Sequence, residues 1–234
     1  MPVGSVYRSS FFGGSDKDQN LLKPYNFAEG SPGLGFNIYE LGNKEKIAVI
    51  NIMGNLFMRS CDNAFFKIEE VLQKIDANDL SFIFVDFHAE ATSEKVAMGH
   101  HLDGRVTAVV GTHQHVPTAD SHILPKGTAY QTDAGMCGDY NSIIGMSKEP
   151  ILDRFQGIKS KSKFSPAMGE ATICGVIIES DTETGLAKNI KPIKETKGSA
   201  SKAVASTKSE KQEKEVIAEG HEMRDRFKKL AGIL

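Results

Sequence analysis

Apolar residues in this chain come in short runs separated by turn chemistry, and the period of each run predicts an element. Gly35-Phe36-Asn37-Ile38-Tyr39 alternates. Ile47-Ala48-Val49-Ile50-Asn51-Ile52 is a short β-branched run, and Asn43-Lys44-Glu45 lies between them as a turn, so a hairpin is expected. In Ala64–Ile75 the apolar positions are 65, 68, 71, 72 and 75, which is helical spacing, and Asp62 or Asn63 stands where an N-cap belongs. Ser81–Phe87 is a continuous apolar run, the pattern of a strand buried on both faces. A helix is expected over Ser93–Met98, then short strands at Ala108–Gly111, Gly127–Thr132 and Ala171–Ile178. Mixed strands and helices without a long alternating repeat predict an α/β sandwich.

The same pattern divides the chain. Residues 1–35 are rich in Gly, Ser, Asn and Asp and read as an irregular segment. Residues 36–194 carry the regular elements. From Glu195 to Glu215 the chain is mostly Lys, Ser, Glu, Thr and Ala, a linker composition. Val216, Ile217, Met223, Phe227, Leu230 and Leu234 then recur near one helical face, so a short amphipathic helix or a frayed tail is expected there. With 234 residues and 40% hydrophobic content, the chain is long enough for one sizeable core. A formal charge of −2 argues against a general nucleic-acid binder but leaves room for a small phosphorylated ligand at a metal site. Cys61, Cys137 and Cys174 are scattered and odd in number, which suits a reducing compartment. No apolar run reaches bilayer length, and Met1–Ser5 does not open a secretory signal, so a cytoplasmic protein without a membrane partner is expected.

Chemistry concentrates at two strand ends. Val85-Asp86-Phe87-His88-Ala89-Glu90 closes one apolar run with His-x-Glu, and Val110-Gly111-Thr112-His113-Gln114-His115 closes another with His-x-His. Ligands in α/β folds gather beyond the carboxyl ends of strands. In extended backbone, residues two apart point the same way, which would let His113 and His115 converge. Neutral imidazoles suit zinc, iron or manganese. A single histidine at a strand end is more often a hydrogen-bonded core residue; two such ends 25 residues apart favour a metal site. Asp86 or Glu90 would orient an imidazole through its second nitrogen. His100-His101 reads as an exposed pair and His122 as structural.

The strings Asp86–Lys95, Asp103-Gly104-Arg105 and Gly111–Asp120 resemble the YmdB family. These are bacterial calcineurin-like metallophosphoesterases described as 2′,3′-cyclic-nucleotide 2′-phosphodiesterases. The likeness continues through Ile123–Tyr130 and Thr132–Met136 to about Lys194, and Pro24–Gly33 resembles an upstream family segment. The resemblance implies an α-β-β-α sandwich with two divalent metals, usually iron or manganese. His88 and His113 would bind one and His115 the other, with a cyclic nucleotide or another phosphodiester as substrate. Family members open on a strand ending in Gly-Asp, followed by Gly-Glu-Asn and Gly-Asn-His motifs that supply acidic ligands and a general acid. No counterpart lies upstream of the matched region here. The resemblance therefore implies a sandwich incomplete at its N-terminal side, a truncated or split enzyme that is weak or inactive alone, and no catalytic residue is assigned. Its partner would be a separate polypeptide carrying the N-terminal half, or a second copy. The alternatives are reduced activity with one weakly held metal, or a non-catalytic remnant that binds a nucleotide or a partner.

Overall fold

The computed structural model describes residues 21–28, 30–159 and 162–196. Among these, two sheets form. The larger has the order β1-β2-β3-β4-β6-β5, from strands Phe36–Glu40, Lys46–Met53, Phe82–His88, Ala108–Thr112, Ala129–Gln131 and His122–Ile123 (β1, β2, β3, β4, β6 and β5 respectively). β2, β3, β4 and β6 run parallel, and β1 and β5 are antiparallel additions at the two sides. The smaller sheet is antiparallel: β7 (Gly138–Asp139), β8 (Ala171–Ser180) and β9 (Ala187–Thr196). The expected hairpin is β1–β2, and the fold is mixed α/β.

One face of the large sheet carries Ala48, Ile50, Ile52, Ile83, Val85, Phe87 and Val109, all buried. Helix α1 (Ala64–Lys74) contributes Ala64, Ile68 and Val71 to this core, and helix α2 (Thr92–Leu102) contributes Met98 and Leu102. The start of α1 is set by Asn63, whose side-chain oxygen accepts from the N–H groups of Phe65 (2.9 Å) and Phe66 (3.2 Å), donors that the helix itself leaves unpaired.

Four expectations change. β3 is fully buried on one face only; Phe82, Phe84, Asp86 and His88 on the other are half-buried. Helix α2 runs on to Leu102, so His100 and His101 lie in its last turn. Helix α3 (Lys148–Phe155) and strand β9 were not foreseen, and β9 extends to Thr196, two residues past the boundary placed at 194. Residues 21–28 and 30–35 have little regular structure yet are bound into the domain. Tyr25 N–H donates to the Asn51 carbonyl (2.8 Å), and the buried Asn26 amide donates to the carbonyls of Met53 (2.7 Å) and Asp62 (2.9 Å). The linker and amphipathic segment were expected over 195–234; Glu195 and Thr196 lie in β9, and the rest falls outside the described residues, as do Met1–Asn20.

Candidate metal centre

The parallel strands bring their carboxyl ends to one edge, and in the register there His88 of β3 sits beside Thr112 of β4, while Asn51 of β2 sits beside Asp86. Residues two apart on β3 share a face, so these four side chains form one line across three strands. Asn51 Nδ2 donates to Asp86 Oδ2 (2.7 Å), and the Thr112 hydroxyl donates to Asp86 Oδ1 (3.0 Å). With its single proton committed there, Thr112 Oγ1 accepts from His88 Nδ1, 3.1 Å away. The hydrogen bonds thus assign His88 the Nδ1–H tautomer and leave Nε2 as a bare lone pair. Burial, followed by the neighbouring His113 and the Lys95 ammonium, pushes the His88 pKa down to about 4, so the ring is neutral at physiological pH. Burial also raises the Asp86 carboxyl, and the Thr112 and Asn51 donors oppose that shift.

β4 ends at Thr112, so the expectation that His113 and His115 converge by lying in extended backbone is corrected. Both take positive φ, 119° and 65°. The cause is the residue between them. Gln114 N–H donates to Asp133 Oδ2 (2.9 Å), its Nε2 donates to the Glu90 carbonyl (2.6 Å), and its Oε1 accepts from Lys95 Nζ. With Gln114 pinned, the histidines on either side take backbone conformations that non-glycine residues visit rarely. The pin is itself buried: Lys95 Nζ lies 3.0 Å from Asp133 Oδ2, and both side chains are 1% exposed. Gly111 makes room for the backbone just before Asp133 and for the Lys95 stem, since a Cβ there would lie 1.8 Å from the Thr132 carbonyl oxygen and 3.0 Å from Lys95 Cδ.

His113 turns its Nδ1 toward His88 Nε2 at 3.1 Å, with the two rings edge-to-face at 4.9 Å. Its other nitrogen, Nε2, is 2.6 Å from Glu90 Oε2. A carboxylate can only accept, so Nε2 carries a proton, and in the neutral ring Nδ1 is then a second bare lone pair aimed at the first. Two lone pairs facing each other at this distance suit a cation that both can bind, so the donor chemistry of His88 and His113 fits a divalent metal. His115 donates from Nδ1 to the Ile144 carbonyl (3.0 Å), so in the neutral ring its Nε2 carries the lone pair, and it lies near enough to act electrostatically on His88. Among the described residues no three His, Cys, Asp or Glu side chains are grouped closely enough to hold an ion by themselves.

His88 and His113 are therefore brought into contact, His115 stands on a separate support, Asp86 reaches His88 through Thr112, and Glu90 reaches His113 directly. His101 pairs instead with Glu69 (2.8 Å), and His122 donates to the Asp120 carbonyl (2.5 Å). Lys95, Gln114 and Asp133 were missed as supports of the site. Each lies within or beside the strings quoted from the sequence, but nothing local marks their partnership, because the contacts span 19 to 38 residues.

The family model described as YmdB-like protein matches residues 7–193. The chain belongs to the YmdB-like family. It is 48% identical over 178 residues to the 2′,3′-cyclic-nucleotide 2′-phosphodiesterase of Bacillus subtilis, a match covering 76% of this chain and 66% of that protein. It is 39% identical over 173 residues to a putative phosphatase/phosphodiesterase of Mycoplasma pneumoniae, covering 71% of this chain and 60% of the relative. The chain thus spans 60–66% of the length of these YmdB-like relatives. A crystal structure of a hypothetical protein from Thermus thermophilus superposes with a TM-score of 0.68 at 41% identity, covering 75% of this chain and 67% of that one. A novel phosphatase from Mycoplasma pneumoniae superposes at 0.71 and 33% identity, covering 82% and 69%. Among the described residues of this YmdB-like chain no helix is long and apolar enough to cross a membrane.

Proposed function

We propose that this YmdB-like chain presents His88, His113 and His115 to a divalent metal centre that binds and hydrolyses phosphodiesters, cyclic nucleotides among them, and that the chain alone turns substrate over weakly or not at all. The observation that carries this is the 3.1 Å approach of His88 Nε2 and His113 Nδ1, in rings whose second nitrogens are each tied back, one through Thr112 to Asp86 and one to Glu90. Such back-side hydrogen bonds fix the tautomer and ring direction of metal-binding histidines. His88 and His113 would share one ion and His115 would serve a second; the nitrogen donors, completed by carboxylates, suit iron or manganese. When bound, the metals supply a clamp on the phosphate oxygens and a hydroxide nucleophile at neutral pH.

The chain's own residues hold the rings. Burial, with His113 and the Lys95 ammonium behind the loop, keeps His88 neutral so that its lone pair stays available. Glu90 and Asp86 are committed to hydrogen bonds within the ligand set. In this reading the acidic ligands that offset two adjacent cations, and the acid that protonates the leaving group, come from outside the described residues. Their source would be a separate polypeptide with the Gly-Asp, Gly-Glu-Asn and Gly-Asn-His motifs, or residues such as Asp16 and Asp18. A missing general acid lowers turnover roughly 10²–10⁴-fold.

The test is metal analysis of the purified chain together with hydrolysis of bis-p-nitrophenyl phosphate and of 2′,3′-cyclic nucleotides, against a His113→Ala control. Bound metal lost in the control, low turnover, and a gain when the N-terminal half is supplied in trans are expected. Robust metal-dependent turnover by the chain alone would refute the weak-catalyst reading. Tight nucleotide binding with no turnover under any condition would favour a binding protein instead.

A further inference from the structure

Residues 148–164 carry five cations, Lys148, Arg154, Lys159, Lys161 and Lys163, against the two acids Glu149 and Asp153, a local charge of +3 in a chain whose formal charge is −2. The fold turns this segment back on itself. Helix α3 ends in a glycine turn: Gly157 takes a φ of 71°, its N–H donates to the Arg154 carbonyl (3.2 Å), and the Ile158 N–H donates to the Asp153 carbonyl (2.8 Å), the pairing that reverses a chain at a helix C-terminus. The returning chain is fastened beside the start of the helix. There Ser147 N–H donates to the Ser165 carbonyl and Ala167 N–H to the Gly145 carbonyl, both at 2.9 Å. An open cavity of about 500 Å³ results, and its lining includes Pro150, Arg154, Ile158, Lys159, Ser162 and Phe164. The Arg154 guanidinium stands 6.0 Å from the centre of the Phe164 ring.

No acid lines this cavity, and among the described residues no carboxylate pairs with Arg154 or Lys159. Phe164 and Ile158 are 54% and 53% exposed, and Phe155 in the last turn of α3 is 83% exposed, so core burial accounts for little of these side chains. Uncompensated cations attract an anion, and an open aromatic face takes a planar group. Single-stranded nucleic acid brings both, because its phosphates track cations while its bases stack on rings. We propose that this cavity binds single-stranded nucleic acid, with Arg154 and Lys159 on neighbouring phosphates and Phe164 under a base. A membrane surface would engage a protruding apolar face, whereas here the ring lines a concavity within the size range of small-ligand pockets. The cavity shares no residue with the histidine site and does not depend on the phosphodiesterase reading. The net negative charge of the chain confines the contact to this patch, which the whole-chain charge conceals.

Fluorescence anisotropy of a labelled decauridylate tests this on the full chain in EDTA, which takes the metal centre out of the measurement. The parent should bind at about 50 mM salt and bind far more weakly at about 200 mM. Phe164→Leu should bind about 5- to 10-fold more weakly, because the base loses its stacking partner, and Phe164→Tyr, which keeps a ring, should bind as the parent does. The double variant Arg154→Gln/Lys159→Gln should bind more weakly and lower the slope of log affinity against log salt by about 1.4, the value for two phosphate contacts on a single strand. These side chains are exposed, so the melting temperature should stay at the parental value and separate lost contact from lost fold. His113→Ala should bind as the parent does. Parental affinity in both Phe164→Leu and the double variant, or no binding by the parent at about 50 mM salt, would overturn the proposal. So would binding that disappears in His113→Ala, which would assign the strand to the histidine site. Binding to phosphatidylglycerol vesicles without binding to the oligonucleotide would overturn it as well and make the patch a membrane contact.

Discussion

Replacing Lys95 by methionine removes the positive partner of a carboxylate that has no access to water. Lys95 and Asp133 are each 1% exposed in their side chains and 3.0 Å apart. Breaking a buried pair from one side typically costs about 3–5 kcal/mol, because the remaining charge is left uncompensated. Asp133 keeps two backbone donors here, Gln114 N–H and Gly135 N–H, both at 2.9 Å, so the lower end, about 3 kcal/mol, is expected. In a domain of this size that corresponds to a fall in Tm of roughly 6–12 °C. Urea denaturation measures the stability, and cobalt(II) titration measures the site. The loss should not be confined to stability. Gln114 Oε1 also accepts from Lys95, so the residue that sets the positive φ of His113 and His115 is loosened, and metal affinity should fall by about 10- to 100-fold. Adding Asp133→Asn to Lys95→Met removes the stranded charge and should recover most of the stability while leaving metal binding impaired, because the Lys95 hydrogen bond to Gln114 is still missing. If Lys95→Met unfolds within about 1 kcal/mol of the parent, or the double variant is as unstable as the single, the charge-compensation argument is wrong.

Three further expectations follow from single contacts. Gly111→Ala places a methyl 1.8 Å from the Thr132 carbonyl oxygen, which must move; a loss of about 3 kcal/mol in urea denaturation is expected, and near-parental stability would show that the loop yields easily. Thr112→Val keeps the shape but removes the link between Asp86 and His88; metal affinity should drop about 10- to 100-fold in a cobalt titration, and an unchanged affinity would remove Thr112 from the site. Hydrogen bonds from Arg105 at 2.6 and 2.7 Å hold the Glu69 carboxyl below its ordinary value, with partial burial opposing them. A depressed carboxyl stabilises the fold above its unfolded value near 4.5 and loses that contribution as pH falls through the folded value. The stability difference between the parent and Glu69→Gln should therefore be at most about 1 kcal/mol at pH 7 and shrink below pH 4.5; a difference that grows on acidification contradicts the assignment.

Sequence alone was enough for whatever depends on local periodicity. The spacing of Phe65, Ile68, Val71 and Leu72 specified α1, the cap position was narrowed to Asp62 or Asn63, and the run 81–87 specified β3 with His88 at its end. α1 was legible because burial of one helical face leaves a period of 3.6 in the residues themselves, and β3 because its apolar run is unbroken, although that run did not reveal that only one face is fully buried. β9 was not: its pattern is mostly half-exposed and exposed, and what makes it a strand is its ladder with β8, a partner the period does not name. The site divides in the same way. The histidines, Asp86 and Glu90 were visible as polar residues terminating apolar runs. Which nitrogen of each ring is free, why His113 and His115 leave the extended conformation, and which groups support them were decided by Thr112, Lys95, Asp133 and the Ile144 carbonyl. Those are pairings of single polar groups across the fold. A buried donor must find its acceptor wherever the chain supplies one, and that requirement leaves no period along the sequence.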